Sequence, residues 1–345
     1  MKTSFFQYTL PELEVLFKEN NLVPGLPGKL FNWHYKLQNV GPYEEDISKG
    51  AKEFISQNLS FDLPEIDTVH ESADRTVKFL FKFQDGKKVE TVLIPSKKKY
   101  GICLSSQVGC AMKCSFCHTG LQGLERHLQT HEILGQFLAA KQWLVKNRPQ
   151  DSHIATIVFM GQGEPLHNFD AVKGACEIFI TRQGFSMSME KITISTAGYL
   201  PGLERWKAEM PDVNIALSLH STFKEKRDEL IPINKAYPLD KVLEIVNQIP
   251  KTKKRFVIYE YLLAKGFNDT YEDAKSLGET LQGKRAFVNI IPFNPFPGSK
   301  YQRPTREEID MFKAELDEFN VPSLVRFTKG DDILAACGQL NSKAL

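Results

Sequence analysis

Apolar and polar residues recur along this chain with two different periods, and the change between them falls near residue 75. Before it, LPELEVLFKEN and GKLFNWHYKLQNVGPYEEDISKGAKEFISQNL space their apolar positions as a helix does and show little alternation, so residues 1–75 are expected to be helical. RTVKFLFKFQDGKKVETVLIPS then alternates apolar and polar residues on either side of Asp85-Gly86, which predicts a β-hairpin over residues 76–99. From Tyr100 onward, strand-like runs alternate with amphipathic helical ones. The predicted strands are GICLSS (101–106), ATIVFM (155–160), KITIST (191–196), VNIALSL (213–219), RFVIYEYL (255–262) and AFVNIIPF (286–293). Stretches such as HEILGQFLAAKQWLVKN and LDKVLEIVNQI lie between them. Six βα units in a row predict an α/β barrel or an open parallel sheet over residues 100–300. A last strand-like piece, PSLVRF (322–327), belongs to an extension over residues 301–345 that ends in TKGDDILAACGQL and a short tail.

The unusual polar residues fall where these strands end. GQGEP (161–165) follows the second, Ser195 and Thr196 close the third, Ser218-Leu219-His220 close the fourth, and Asn294 follows the sixth. Parallel α/β folds bind ligands outside the carboxyl ends of their strands, so these residues are expected to converge on one face.

Composition adds limits rather than direction. With 345 residues, 42% apolar and 25% charged, the chain has the make-up of a globular protein. It holds no apolar run of the roughly 18 residues that would span a bilayer. Its N-terminus, MKTSFFQYTLPELEVLFKEN, carries acidic residues where a signal peptide needs an apolar core, which predicts a cytoplasmic protein. A net charge of +2 permits an RNA partner without demanding one. Three basic clusters read either as phosphate contacts or as solvated surface: Lys97-Lys98-Lys99, then Lys251 with Lys253, Lys254 and Arg255, then Lys300 with Arg303. Phe31, Trp33 and Tyr35 are candidates for base stacking or for one buried helix face.

The sharpest chemistry lies in GCAMKCSFCHTG, residues 109–120. It places Cys110, Cys114 and Cys117 as C-x3-C-x2-C and follows them with His118. In a cytosolic chain such clustering points to metal or redox chemistry rather than structural disulfides. Cys114 to His118 matches a haem-attachment signature, but that chemistry belongs to exported proteins and leaves Cys110 idle. Zinc could use the three thiols and His118, although structural zinc sites usually separate two ligand pairs by a long gap. A [4Fe–4S] cluster held by three cysteines keeps one iron open for a small molecule. GQGEP is a glycine-rich turn without the third glycine of a dinucleotide fingerprint. Cys176, in FDAVKGACEIFI, reads as a small buried hydrophobe.

The cysteine spacing, followed by a glycine–glutamate motif after the next strand, resembles the radical S-adenosylmethionine (SAM) enzymes. CLSSQVGCAMKCSFCHTG, MGQGEPLHN, ISTAG, SLHS, IPFNPF and GDDILAACGQL, in that order, resemble the RlmN and Cfr ribosomal RNA methyltransferases over most of the chain. This resemblance implies a radical SAM partial (β/α)6 barrel with a helical N-terminal domain that binds RNA and a β-hairpin adaptor. It implies that Cys110, Cys114 and Cys117 ligate a [4Fe–4S] cluster, and that Gly163, Glu164, Ser195, Ser218, Leu219, His220 and Asn294 contact SAM. Cys337 would take a methyl group from one SAM, and a second SAM would yield the radical that activates that methyl. Cys103 would resolve the adduct with the base through a disulfide to Cys337, and Glu90 would act as a proton acceptor.

The implied product is an adenine methylated at C2 in 23S rRNA, with tRNA as a second substrate. A flavodoxin-like electron donor and a thiol reductant would serve the reaction. Methylation at C8, as in the Cfr branch, and a zinc-stabilised RNA-binding protein without activity are the competing readings. The chain departs from the family pattern at Gln162, where MGMGEP is usual, and at His118, where a smaller residue is expected.

Overall fold

The computed structural model describes residues 2–39, 43, 47–249 and 257–342. The hairpin turning at Asp85-Gly86 is present and belongs to a ten-stranded sheet whose strands lie side by side in chain order. Strand β1 (Glu65–Glu71) pairs antiparallel with β2 (Val77–Lys82), β2 with β3 (Lys88–Ser96), and β3 with β4 (Lys99–Cys103). The direction then changes. Strands β5 (Ile154–Phe159), β6 (Ile192–Thr196), β7 (Asn214–Ser218), β8 (Val257–Leu263), β9 (Ala286–Pro292) and β10 (Ser323–Val325) each continue parallel from β4.

Strand β1 corrects the expectation that the whole region before residue 75 is helical. Ile66 and Val69 are three residues apart, a helical spacing, yet both pack on the core. A bulge between Ile66 and Thr68 shifts the register by one and returns Val69 to the face of Ile66. The irregularity that builds the strand also disguises it.

Helices α1 (Leu10–Glu19), α2 (Leu26–Phe31) and α3 (Lys49–Asn58) form the N-terminal part. Thr9 and Glu12 close a capping box at the start of α1, satisfying its first free N–H groups. The crossovers are α4 (Thr130–Asn147), α5 (Phe169–Ile180), α6 (Leu200–Glu209), α7 (Lys224–Leu230) with α8 (Leu239–Gln248), α9 (Tyr271–Leu281) and α10 (Arg306–Asp317). The sheet stays open, with β1 and β10 at its edges, so the six βα units make an incomplete barrel.

Phe31 and Tyr35 are fully buried, with ring centroids 4.9 Å apart, and Tyr35 meets Phe185 at 5.0 Å. Both are core residues and cannot stack on a base; Trp33 packs against the same core. One apolar cluster runs from Phe5 through the sheet to Val321, so helices and barrel share a single interior. Cys176 lies fully buried within it. Among the described residues no helix is long and apolar enough to cross a membrane.

Candidate active site

One cavity of about 230 Å³ opens at the carboxyl ends of the parallel strands. Cys103, Cys110, Cys114, Cys117, Gly163, Glu164, Ser195, Ser218, His220, Asn294 and Cys337 all line it. Leu219 and Glu90 do not: both side chains are fully buried beside the cavity rather than in its wall.

The cysteine loop is closed at its neck by two short strands, Gln107–Gly109 and Leu124–His127. Gly109 has φ +74°, and a Cβ there would lie 1.8 Å from the Gly123 carbonyl, so only glycine lets the neck close. Burial pushes the Cys110 thiol up to about 12, and raises Cys114 and Cys117 as well. Buried thiols of this kind stay protonated until a cation takes the proton's place. Among the described residues, no three His, Cys, Asp or Glu side chains already converge as metal ligands. The three thiols do share one loop and one cavity wall, and an all-thiol donor set suits iron–sulfur chemistry. His118 is turned elsewhere. Its ring stacks on Phe296 at 4.7 Å and its Nε2 meets the Asn341 side chain at 2.6 Å, which takes the fourth ligand away from the zinc reading.

The GQGEP turn is pressed against the strand end that leads into the loop. A Cβ on Gly163, at φ +105°, would meet the Gln107 side chain at 2.6 Å and its backbone nitrogen at 2.8 Å. The Glu164 carboxylate accepts the N–H of Ala197 at 2.8 Å and of Leu166 at 3.1 Å. Burial nevertheless pushes its pKa up to about 7. His220 is held at φ +56° and accepts the Leu262 N–H on Nδ1 at 3.0 Å, which leaves the proton on Nε2. Burial, with Arg227 nearby, lowers it to about 3, so it is neutral.

Against this geometry the similarities are specific. The family model of the radical SAM superfamily matches residues 104–277. A probable dual-specificity RNA methyltransferase RlmN of Aquifex aeolicus is 39% identical, covering 98% of this chain and 97% of its own length. The dual-specificity RNA methyltransferase RlmN of Pelobacter propionicus is 40% identical over 99% of this chain and 96% of its own. This chain belongs to the RlmN family. The crystal structure of a radical SAM methyltransferase from Sphaerobacter thermophilus matches it with a TM-score of 0.90, at 32% identity and 99% coverage of both chains. The chain is therefore a radical SAM RNA methyltransferase, and its family implies a [4Fe–4S] cluster and SAM.

In this RlmN-family chain the C-terminal segment is stapled over the cysteine loop. The His118 N–H donates to the Gly338 carbonyl at 2.7 Å, and the Thr119 hydroxyl to the Leu340 carbonyl at 2.7 Å. Asn294 donates to the Cys337 carbonyl at 3.1 Å, while its own oxygen accepts from Arg303 and Thr328. Cys337 is exposed, and its surface is cavity wall. Cys103, at the end of β4, lines the same cavity, and burial raises its thiol as it does that of Cys337.

Both departures from the family pattern join this staple. The Gln162 amide accepts the Glu90 N–H at 2.8 Å and donates to the Ser342 hydroxyl at 3.3 Å. Glu90 itself pairs with Lys78 at 2.8 Å, both buried.

Pattern reading missed several residues. Arg227 sits in KEKRDEL, a run that looks like a solvated face, yet it is 1% exposed. It donates to the carbonyls of Ser218, Leu219 and Ala197 and so fixes the ends of β6 and β7. Glu260 and Arg326 also line the cavity. Glu260 left one signal, a single carboxylate in the otherwise apolar VIYEYLL, and Arg326 left none.

The basic clusters fare differently. Lys300 pairs with Glu229 and Arg303 with Asp331. Lys97-Lys98-Lys99 is exposed at the β3–β4 turn, the end of β4 away from the cavity. Lys251, Lys253, Lys254 and Arg255 lie outside the described residues.

Proposed function

We propose that this enzyme methylates C2 of an adenine in 23S rRNA and in tRNA, and that Cys337 carries the methyl group between SAM and the base. The observation that carries this reading is the shared cavity, which holds the cysteine loop, GQGEP, Cys103 and Cys337 together. The dual specificity in the relatives' names accords with two RNA classes. Cys110, Cys114 and Cys117 would hold the cluster, with Gly163, Glu164, Ser195, Ser218, His220 and Asn294 around SAM and Leu219 supporting that wall from behind. The cluster, when bound, supplies the electron that cleaves SAM reductively.

Adenine C2 is an electron-poor ring carbon, so it cannot attack a sulfonium methyl as an amine would. A cysteine can. The Cys337 sulfur would attack the SAM methyl and take it, the sulfonium carbon–sulfur bond breaking to release S-adenosylhomocysteine while the thiol proton is lost. Asn294 and the Gly338 carbonyl contact hold the loop so that the new methyl faces the cavity. A hydrogen atom of that methyl would pass to the 5′-deoxyadenosyl radical of the second SAM and the carbon would bond to C2, with one electron returned to the cluster that the SAM cleavage left oxidised. The Cys103 thiolate would then attack the Cys337 sulfur and break its bond to the carbon, which takes up a proton as the C2 hydrogen leaves as another. The Cys103–Cys337 disulfide then needs a thiol reductant, and the cluster needs a flavodoxin-like donor. Glu90, paired with Lys78 at the edge of the cavity, would receive a proton in this sequence. The N-terminal region, residues 1–75, would bind the RNA, in the cytoplasm where that RNA is made.

The test is mass spectrometry of nuclease-digested RNA after incubation with reconstituted protein, SAM and reductant. Co-elution of the product with 2-methyladenosine is the expected result. Co-elution with 8-methyladenosine would move the chain to the Cfr branch, and no methylated adenosine would refute the reading.

A further inference from the structure

Strand β8 runs Val-Ile-Tyr-Glu-Tyr-Leu-Leu through the middle of the parallel sheet, with every neighbour of its one carboxylate apolar or aromatic. Burying such a group is costly unless something takes its hydrogen-bonding capacity. Glu260 is 4% exposed and lines the cavity. Its Oε1 accepts the Asn289 side-chain N–H at 2.8 Å. Its Oε2 is buried and has no hydrogen-bond partner among the described residues. In register, Ser218, Glu260 and Asn289 stand side by side on β7, β8 and β9, so one polar row crosses the sheet beneath the cavity.

Glu260, Arg326 and Cys337 line one cavity, and Cys337 lies close enough to both charged side chains to be influenced by them, as it is by Cys117 of the cysteine loop. The unused acceptor therefore shares the cavity with the methyl-bearing cysteine. We propose that Glu260 reads the target base, its free carboxylate oxygen accepting a hydrogen bond from the exocyclic amino group of adenine. This proposal rests on the function given above.

The chemistry fits adenine and rejects its 6-oxo counterparts. When C2 faces Cys337, the 6-amino group is the only exocyclic donor on the ring. A base with a carbonyl at C6 would set an acceptor against a buried acceptor, leaving both unpaired. Sites built around one such hydrogen bond discriminate far more strongly than apolar pockets do.

The experiment uses short stem-loop RNAs carrying adenosine, purine riboside or inosine at the target position. All three bases keep a C2 hydrogen, but the second lacks the amino group and the third replaces it with a carbonyl. Wild-type enzyme should prefer adenosine over purine riboside by at least tenfold in kcat/KM. Glu260→Leu should lose that preference, turning over the two within about threefold of each other. Methyl loading of Cys337 from SAM, read by intact-protein mass, should stay within twofold of wild type.

Glu260→Gln gives the sharper result. Asn289 donates to the amide oxygen, so the amide NH2 turns to the cavity and the site becomes a donor. The ratio of inosine to adenosine turnover should then rise at least tenfold over wild type. A Glu260→Leu enzyme that keeps the adenosine preference, or a Glu260→Gln enzyme with an unchanged inosine ratio, overturns the proposal. So does loss of methyl loading with the preference intact, which would place Glu260 on SAM instead. A wild-type enzyme that methylates another position of the base is read separately, from the product standard, and overturns the function together with this inference.

Discussion

Glu90 accepts the backbone N–H of Asn341 at 2.5 Å, and so ties strand β3 to the segment that carries Cys337. Its other oxygen pairs with Lys78, whose ammonium also donates to the Leu334 carbonyl at 3.2 Å. One buried ion pair thus grips the segment on both sides of Cys337.

Removing half of that pair should be costly. Glu90→Ala leaves the Lys78 ammonium buried and unpaired, and should lower unfolding stability by about 3–5 kcal/mol in chemical denaturation. The double variant Lys78→Met with Glu90→Leu should recover most of it. A single-variant loss below about 1 kcal/mol would show that water reaches the pair.

Gln162→Met introduces the usual family residue and tests why this chain differs. A thioether cannot replace the amide, so the Glu90 N–H loses its acceptor at a cost of about 1–3 kcal/mol. The expected result is faster amide hydrogen exchange across residues 334–342 with the cluster still bound. Unchanged exchange there would mean that Gln162 does not hold the segment.

Cysteine loss separates two kinds of ligand. Cys110→Ala, Cys114→Ala and Cys117→Ala should each abolish the brown chromophore of anaerobically purified protein. His118→Ala should keep it, because that ring faces Phe296 and Asn341. Loss of bound metal in His118→Ala would revive the zinc reading.

Cys103 and Cys337 should fail differently. Cys337→Ala should give neither methylated protein nor modified RNA. Cys103→Ala should load the methyl, attack the base and stall with RNA joined to Cys337 through carbon. That species should migrate slowly on a denaturing gel and resist reductant, since a carbon–sulfur bond is not a disulfide. Normal turnover by Cys103→Ala would remove Cys103 from the resolving step.

Acid should destabilise the fold through His220. Its folded pKa is lowered to about 3, while an unfolded imidazole takes its proton near 6.5. Between those values the unfolded chain binds more protons, so His220 contributes stability that is lost as pH falls, by up to about 1.4 kcal/mol per unit. Glu164, raised to about 7, acts with the opposite sign between its unfolded value and that pH. The comparison with His220→Gln isolates the imidazole. The variant's stability should depend on pH less steeply by up to one proton between about 3 and 6.5, and an equal slope would show His220 accessible to water.

Several parts of this protein were legible because they are local. The Asp85-Gly86 hairpin and the alternation of strands and helices depend on neighbouring residues. The cysteine loop is legible for the same reason, since a ligand set within eight residues leaves its spacing in the sequence. Strand β1 escaped because its bulge mimics a helical spacing, a signal resolved only by pairing with β2.

What pattern could not supply is the choice of partner across long stretches of chain. Lys78, Glu90, Gln162 and Asn341 come from four segments, and nothing in their local pattern shows that they meet. Arg227 reads as part of a charged helix face until three carbonyls at strand ends surround its guanidinium. Glu260 reads as an interruption of an apolar strand until the sheet sets it beside Ser218 and Asn289, facing the cavity. The sequence by itself determined the alternation of strands and helices, the cysteine loop and the polar strand ends, because short-range sterics and periodicity encode them. Tertiary structure alone decided which charges are buried, what holds Cys337, and which carboxylate remains free to meet a ligand. Burial and pairing depend on distances that only the folded chain brings within reach.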